Sequence, residues 1–316
     1  MNKTDMRDAF FEKLVEAART DERIVVLSAD HGAFALKKFE EEMPSRYINM
    51  GIAEQNMVGV AAGLAASGKI VFIYGITPFV SLRVLEQLTI DVAAMQLPVN
   101  VISVGAGFTY STDGPTHQGL QDVAAVSSIP GMTILNSSDP INTRLFVEMA
   151  ISSEKPHYIR IEKDKLAEFT HDGDIEQLRI RGFSRINNTN SRVLIVTTGI
   201  SSHLALKVAS TFERVSGKCL EVIDVHQIKP LTESLFEELA NFDRVLVLEE
   251  SFKSTLASEI ALGIMQRDLR VKLSVKSCGE KFFFKGATRE VITFEAGQSV
   301  KIIVEELLEI IEKDKK

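Results

Sequence analysis

The chain has no tryptophan and only two cysteines, Cys219 and Cys278. The missing tryptophan carries no functional meaning. The two thiols form no CxxC pair, which excludes a paired-cysteine metal or redox motif and leaves them as small core residues in a reducing compartment. No apolar run approaches the ~20 residues needed to span a bilayer, so no membrane partner is expected. Positive charge is in deficit: 36 Lys and Arg stand against 43 Asp and Glu, a net charge of −7 with a pI near 5.5. That balance argues against a nucleic-acid partner bound through phosphates, although a local basic patch can hide in a sum. The opening MNKTDMRDAF carries acids where a signal peptide would be apolar, which predicts a cytoplasmic protein. Familiar motifs are also missing. There is no GxxxxGK[ST] phosphate loop, no GxSxG elbow and no HExxH, and no metal-ligand set is read from this chain. Gly105-Ala106-Gly107-Phe108 follows a strand pattern, but no helix with a third glycine opens from it, so a dinucleotide fingerprint fails. There is no internal repeat and no low-complexity tract.

What is present suits an ordinary globular protein. A length of 316 residues suits two domains, and 45% hydrophobic with 25% charged content fits a packed interior. One stretch stands out, Asn49 to Gly68. It opens with a glycine turn, places Glu54 among apolar neighbours, then becomes a small-residue helix with Ala53, Met57, Val60, Ala61 and Leu64 on one face. An acid in a first helical turn is favoured by the macrodipole alone. The sharper reading is a buried carboxyl held for proton chemistry.

The rest of the chain alternates. Asp5 to Arg19 reads as an amphipathic helix, capped by Thr4 or Asp5, with Phe10, Leu14, Ala17 and Ala18 inward. Ile24 to Ser28 is a short, fully apolar run, typical of a strand buried on both faces. It ends in Ala29-Asp30-His31-Gly32, at a strand's carboxyl end, where open parallel sheets bind ligands. Asp30 reads equally as a helix cap. Further strands are expected at Tyr47–Asn49, Ile70–Tyr74, Val99–Val104, Met132–Asn136 and His157–Ile161, and helices at Ser81–Ala94, Leu120–Ile129 and from Pro140, capped by Asp139. The loop from Gly105 to Gly119 is long enough to be functional. It holds Asp113-Gly114-Pro115-Thr116-His117-Gln118, a histidine among polar and backbone-fixing residues. Residues 166–190, including an Asp172-Gly173-Asp174 turn and a strand or two around Leu178 to Phe183, read as a linker between domains at 1–165 and 191–316. The second unit repeats the alternation and closes on an amphipathic helix, Val300 to Lys316.

GIAEQNM, then DGPTHQ about sixty residues later, then IPGM and SDP, resemble the carboxyl-terminal half of transketolases. The likeness extends to 1-deoxyxylulose-5-phosphate synthase and the beta subunits of 2-oxoacid dehydrogenases. It covers nearly the whole chain, including Asp224-Val225-His226-Gln227-Ile228-Lys229-Pro230-Leu231 and Leu248-Glu249-Glu250. It implies two doubly wound α/β domains: a pyrimidine-binding thiamine-diphosphate fold, then a smaller transketolase C-terminal domain. It also gives Glu54 a task. In such enzymes this acid hydrogen-bonds the pyrimidine ring nitrogen of thiamine diphosphate and so promotes the proton transfer that activates the cofactor. An apolar setting suits a carboxyl that shares a proton. By the same resemblance Phe79 stacks on the pyrimidine, and Ile52, Gln55, Arg83 and Gln87 shape the cofactor pocket or a dimer contact. His117 stands near the substrate carbonyl with Asp113 beside it, and Asp30 and His31 meet the substrate.

The departures from that family are equally specific. Its diphosphate and Mg²⁺ are held by a GDG motif with a downstream asparagine, and neither is found here. The resemblance therefore implies a separate amino-terminal subunit that binds both, in an α2β2 heterotetramer, with this chain forming a self-dimer. Three contacts to a sugar phosphate are also altered. The family's arginine is Lys163, its histidine is Gly105 and its serine is Phe34, while Arg160 reads as a strand-end ion pair. The leading expectation is a beta-type subunit of a split transketolase moving a two-carbon ketol unit between sugars, with non-standard or activated sugars in view. The alternatives are a 2-oxoacid dehydrogenase beta-type subunit and a non-catalytic assembly subunit. DGPTHQ favours the first, and Glu54 with His117 argues against the last.

Overall fold

The structure is a computed structural model and describes residues 3–170, 175–252 and 255–313. The expected Asp172-Gly173-Asp174 turn and the last three residues of the closing helix lie outside the described residues. In chain order the first elements are β1 (Lys3–Asp5), α1 (Met6–Ala18), β2 (Ile24–Ser28), α2 (Phe34–Glu42), β3 (Tyr47–Asn49), α3 (Glu54–Ala66), β4 (Ile70–Ile76), β5 (Val99–Val104), β6 (Thr133–Asn136), β7 (His157–Ile161) and β8 (Lys165–Ala167). They are followed by β9 (Phe183–Asn187), β10 (Val193–Thr197), β11 (Glu221–Val225), β12 (Gln227–Lys229), β13 (Arg244–Leu248) and β14 (Lys272–Lys276).

Two sheets result. The first has seven strands in the order β12-β6-β7-β5-β4-β2-β3, parallel except for β12. Its central strands β2, β5 and β7 are buried along their whole length between two helical layers, and the polar side chains among them are paired, His157 with Asn100 and Arg160 with Asp122. Phe10, Phe72 and Phe146 pack one face, and Met57, Val71 and Leu88 the other. The second sheet runs β14-β13-β10-β11-β9, parallel except for β9. The short β1 pairs antiparallel with β8.

Several local expectations change. The stretch read as linker contains β8, a helix at Ile175–Arg181 and β9, and β9 is hydrogen-bonded onto the edge of the second sheet. The inward face of α3 is Met57, Val58, Ala61, Ala62 and Ala65, whereas Val60 and Leu64 are half-buried. Residues 81–94 do not form one helix. Turns run to Val84, a single helical turn covers Leu85–Gln87, and π-helix covers Leu88–Ala93. The Thr89 hydroxyl donates to the Leu85 carbonyl, and the ladder shifts to five-residue spacing, with Ala94 N–H on Thr89 O. Arg83 therefore sits in the turn before the helix rather than on its face. Asp30 caps no helix: Ala33 precedes α2 without a side-chain cap.

The segment 224–231 stitches the two units together. Two residues beyond the end of β11 in the second sheet, the chain re-enters the first sheet as β12. Lys229 Nζ donates to the carbonyls of Ser127 and Ile129, each at 2.6 Å. Asp224, fully buried, accepts from the Ser138 and Ser202 hydroxyls, each at 2.5 Å. Burial, only partly offset by those hydroxyls, pushes the Asp224 carboxyl up to about 7. A carboxyl raised by folding stabilises most below its unfolded value and loses that contribution as pH rises through its folded value. Relative to Asp224→Asn, the wild type should therefore gain stability as pH falls from 8 to 5, by about 1.4 kcal/mol per unit below pH 7. Urea unfolding of both proteins at the two pH values measures this. A constant difference would refute it.

Candidate active site

The site lies where α3 begins, beside the carboxyl ends of β2, β4 and β5. Gly51 turns the chain with φ +66°, and its N–H is received by the Asn49 side chain at 2.9 Å. Glu54 is then the first residue of α3, where helix geometry leaves backbone N–H groups unpaired and favours negative charge. It is 4% exposed. The expected solitary carboxyl is corrected by its partner. Arg83 Nη1 donates to Glu54 Oε2 at 2.7 Å, and the Gln55 amide donates to the Arg83 carbonyl at 3.3 Å.

From that pair a continuous path of side chains follows. The Arg83 guanidinium lies over the Phe79 ring at 4.2 Å. Phe79 meets His117 edge-on at 5.2 Å, and His117 meets Tyr110 at 6.1 Å. The Tyr110 hydroxyl is 3.4 Å from His31 Nε2, and Lys163 Nζ is 5.1 Å from the Tyr110 ring centre. His117 Nδ1 bonds the Thr116 hydroxyl at 2.9 Å, which leaves Nε2 without a protein partner among the described residues. Burial above all, then Arg7 and Lys163, lowers His31 to about 4, so it is neutral at pH 7. Burial pushes the Tyr110 hydroxyl up to about 12, so it stays protonated.

The expected site residues thus gather in one place. Glu54, Phe79, Arg83, His117, His31 and Lys163 lie on the path, with Gln55 against Arg83. Asp30, at φ +52°, accepts from the Asn49 amide at 3.2 Å on the rim, and Asp113 accepts from the Thr112 hydroxyl. Ile52 projects outward, 78% exposed, two residues before the buried carboxyl. Gln87 lines a groove with Gln55 and Arg83. Arg160 forms its expected ion pair, to Asp122 at 2.9 Å.

Sequence reasoning missed two features. Tyr110 links the two histidines, yet its only signal was membership of the long loop. The second is a set of ionic contacts from the second unit that hold that loop. The Phe108 N–H donates to Glu250 Oε1 at 2.7 Å, and Arg289 binds Glu250 at 2.5 Å and Glu162 at 2.7 Å. Gly107 has φ +56°, and a Cβ there would overlap the Glu250 carboxyl. Glu249 instead turns inward and accepts from the N–H groups of Leu256 and Ala257, at the start of the helix Leu256–Gln266.

A carboxyl buried at a surface edge, beside a half-exposed aromatic face already covered by a planar cation, suits one ligand type. It fits a nitrogen heteroaromatic ring that needs both a stacking partner and a hydrogen bond at a ring nitrogen. Among the described residues no cluster of three metal-ligating side chains occurs, and no helix is long and apolar enough to cross a membrane. Fold and site together match the arrangement that the resemblance to the pyrimidine-binding part of thiamine-diphosphate enzymes implied.

The chain belongs to the transketolase family. Residues 2–168 match the family profile described as "Transketolase, pyrimidine binding domain", and residues 182–294 match "Transketolase, C-terminal domain". It is 37% identical over 231 residues, 72% of this chain and 70% of the relative, to the 6-deoxy-6-sulfo-D-fructose transketolase subunit SqwH of Clostridium sp. (strain MSTE9). It is 32% identical over 246 residues, 77% of this chain and 78% of the relative, to one of the subunits of the apulose-4-phosphate transketolase of Phocaeicola vulgatus. A solved structure described as "Split gene transketolase, inactive beta4 tetramer" superposes with a TM-score of 0.83 at 27% identity, covering 98% of each chain. The chain is thus a C-terminal-type subunit of a split transketolase, and members of its family depend on thiamine diphosphate.

Proposed function

We propose that this chain supplies the pyrimidine side of a two-subunit active site that moves a two-carbon ketol unit from a ketose to an aldose. An amino-terminal partner supplies the diphosphate and Mg²⁺ sites, in an α2β2 assembly built on a dimer of this chain. Residues 1–165 form the pyrimidine-binding domain, and the C-terminal domain takes in 191–316 together with β9, which hydrogen-bonds to its sheet. The observation that carries this reading is Glu54, buried yet at a rim, on one path with Phe79 and His117.

Bound thiamine diphosphate supplies a nucleophilic carbon and an electron sink. The chain's own groups do the rest. Glu54 holds a proton at the pyrimidine ring nitrogen, and its burial keeps water from competing for that bond. Phe79 offers the stacking face now covered by Arg83, and Ile52 and Gln55 close its rim. His117, steadied through Nδ1 by Thr116, presents Nε2 to the substrate's carbonyl oxygen and exchanges a proton there. Asp113, Asp30 and His31 accept or donate at substrate hydroxyls, and Lys163 stands at the far end. The carbon–carbon bond broken in the donor is remade on the acceptor aldehyde, so no oxidant or reductant is needed. A cytoplasmic setting goes with this reading, since Cys219 and Cys278 are both free thiols.

The purified chain with thiamine diphosphate and Mg²⁺ should show no ketol transfer. Adding a partner chain that carries the diphosphate site should restore it. Turnover by the chain alone would refute the divided site.

A further inference from the structure

We propose that the second unit carries a binding site of its own, for a small zwitterion with an apolar body, and that its occupancy is felt at the loop bearing His117. The ligand class is that of an α-amino acid with an apolar side chain. The site is separate from the ketol-transfer centre and does not depend on that reading.

Topology opens the site. β10 pairs with β11 on one side and β13 on the other, and the chain visits β11 before it crosses back to β13. The strand order therefore reverses between β10 and β13. The helix that leaves β10, Ser201–Ser216, packs on the sheet face of Leu246 and Leu248. The helix that leaves β13, Leu256–Gln266, packs on the opposite face, with Val245 and Val247. The two connections diverge at the carboxyl ends of their strands, where open parallel sheets form a ligand crevice. A cavity of about 760 Å³ lies there, lined by Ile200 and Ser201 after β10 and by Glu250 after β13. The helix Arg289–Glu295 makes another wall. Its volume is in the ordinary range of small-molecule sites.

The lining sets the chemistry. Leu204, Val291, Phe294 and Val300 give it an apolar wall, of which Val291 and Phe294 are exposed. Arg289 and Glu250 also line it, but they bind each other at 2.5 Å and count as matched. Two lining charges have no ion-pair partner among the described residues, Lys207 on one helix and Glu290 on another. A simple anion would meet Glu290, and a simple cation would meet Lys207. A ligand that carries both charges on an apolar body satisfies each. Ser201 and Gln298, both 2% exposed, line the cavity as well. Ser201 Oγ and Gln298 Oε1 are buried with no hydrogen-bond partner among the described residues, a need that a ligand's N–H groups can meet.

The same walls hold the His117 loop. Glu250 accepts from the Phe108 N–H at 2.7 Å, and Arg289 joins Glu250 to Glu162. The Gln298 amide donates to the Glu249 carbonyl at 2.7 Å. A ligand that binds this arrangement and not a loosened one stabilises it, and with it the loop that Glu250 anchors.

The test uses the full chain, alone and assembled with its partner, and three probes. They are L-phenylalanine, phenylpropionate, which lacks the ammonium, and phenethylamine, which lacks the carboxylate. In calorimetry L-phenylalanine should bind both forms with a Kd on the order of 10⁻⁴ M, and the other two about threefold or more weakly. Lys207→Met should bring L-phenylalanine to the level of phenethylamine, and Glu290→Gln to that of phenylpropionate. Both side chains are exposed, so both variants keep the fold. Bound L-phenylalanine should slow amide hydrogen exchange across residues 105–119 by about threefold or more. No binding of L-phenylalanine overturns the proposal, as does equal binding of the three probes or binding that neither substitution weakens. Binding by the free chain alone overturns it too, since the cavity is then partner surface. Binding with unchanged exchange at 105–119 overturns the link to the loop. Ketol transfer, assayed separately, stands or falls without reference to any of these results.

Discussion

Glu54→Gln in the assembled enzyme should lower kcat/KM on the order of 10³-fold while the chain still folds and assembles. Glutamine keeps the volume and the place at the start of α3, and its carbonyl oxygen still accepts from Arg83. What it loses is the exchangeable proton. The Arg83–Glu54 pair is open to water on the arginine side, which is 42% exposed, so losing its charge should cost at most about 1 kcal/mol of stability. The informative comparison is activity against melting temperature. A thousandfold loss of activity with a shift of a few degrees supports a proton-holding role. Activity within tenfold of the wild type would sink it and restore the bland account, an acid placed at a helix start for the dipole alone. A non-catalytic assembly subunit makes that same bland prediction.

The second large effect is expected at Arg289→Met, far from Glu54 in sequence. Arg289 is 20% exposed and holds two buried carboxylates, Glu250 and Glu162, with Asp164 at 3.3 Å on its outer side. Removing one partner of a buried ionic cluster leaves uncompensated charge, at a cost of about 3–5 kcal/mol. The loss should depend on pH with a definite sign. Burial, with Glu250 and Asp164 adding to it, raises Glu162 to about 7 even with Arg289 in place. A carboxyl raised in the folded state stabilises most at low pH and gives that up as pH climbs through its folded value. Without the guanidinium the folded value climbs further, so the penalty at pH 8 should exceed that at pH 5.5. Activity should fall as well, because Glu250 holds the Phe108 N–H at the base of the loop that carries His117. Arg289→Lys should recover only part of both, since one ammonium cannot meet three carboxylates. Urea unfolding at the two pH values decides the matter. A cost below about 1 kcal/mol, flat in pH, would mean that solvent screens the cluster.

Much of the site was legible because its signals are local. A glycine turn before an acid, a histidine framed by glycine and proline, and short apolar runs ending in polar loops need no distant partner to be read. The strand at Ile24–Ser28 and most of the buried face of α1 followed from the apolar pattern in the same way, although Ala17 is only half-buried. The misreadings share one physical cause. The run 81–94 has helical composition, but the Thr89 hydroxyl competes for a backbone carbonyl and moves the ladder, which no hydrophobic pattern records. Phe183–Asn187 looked like linker because an edge strand with one covered face carries little apolar signal. Glu54 looked isolated because Arg83 is twenty-nine positions away and reaches it only through the turn before the π-helix.

The sequence alone thus determined the alternating α/β order, the two-part division and which side chains are candidates for the site, because each depends on composition and spacing within a few turns. Only the tertiary structure decided their company. It set Arg83 against Glu54, brought Tyr110 over the gap left by Gly105, and carried Glu250 and Arg289 across to the His117 loop. The first and last of these pairings join residues from 29 to 142 positions apart, so they follow from how the sheets pack and not from any stretch of chain.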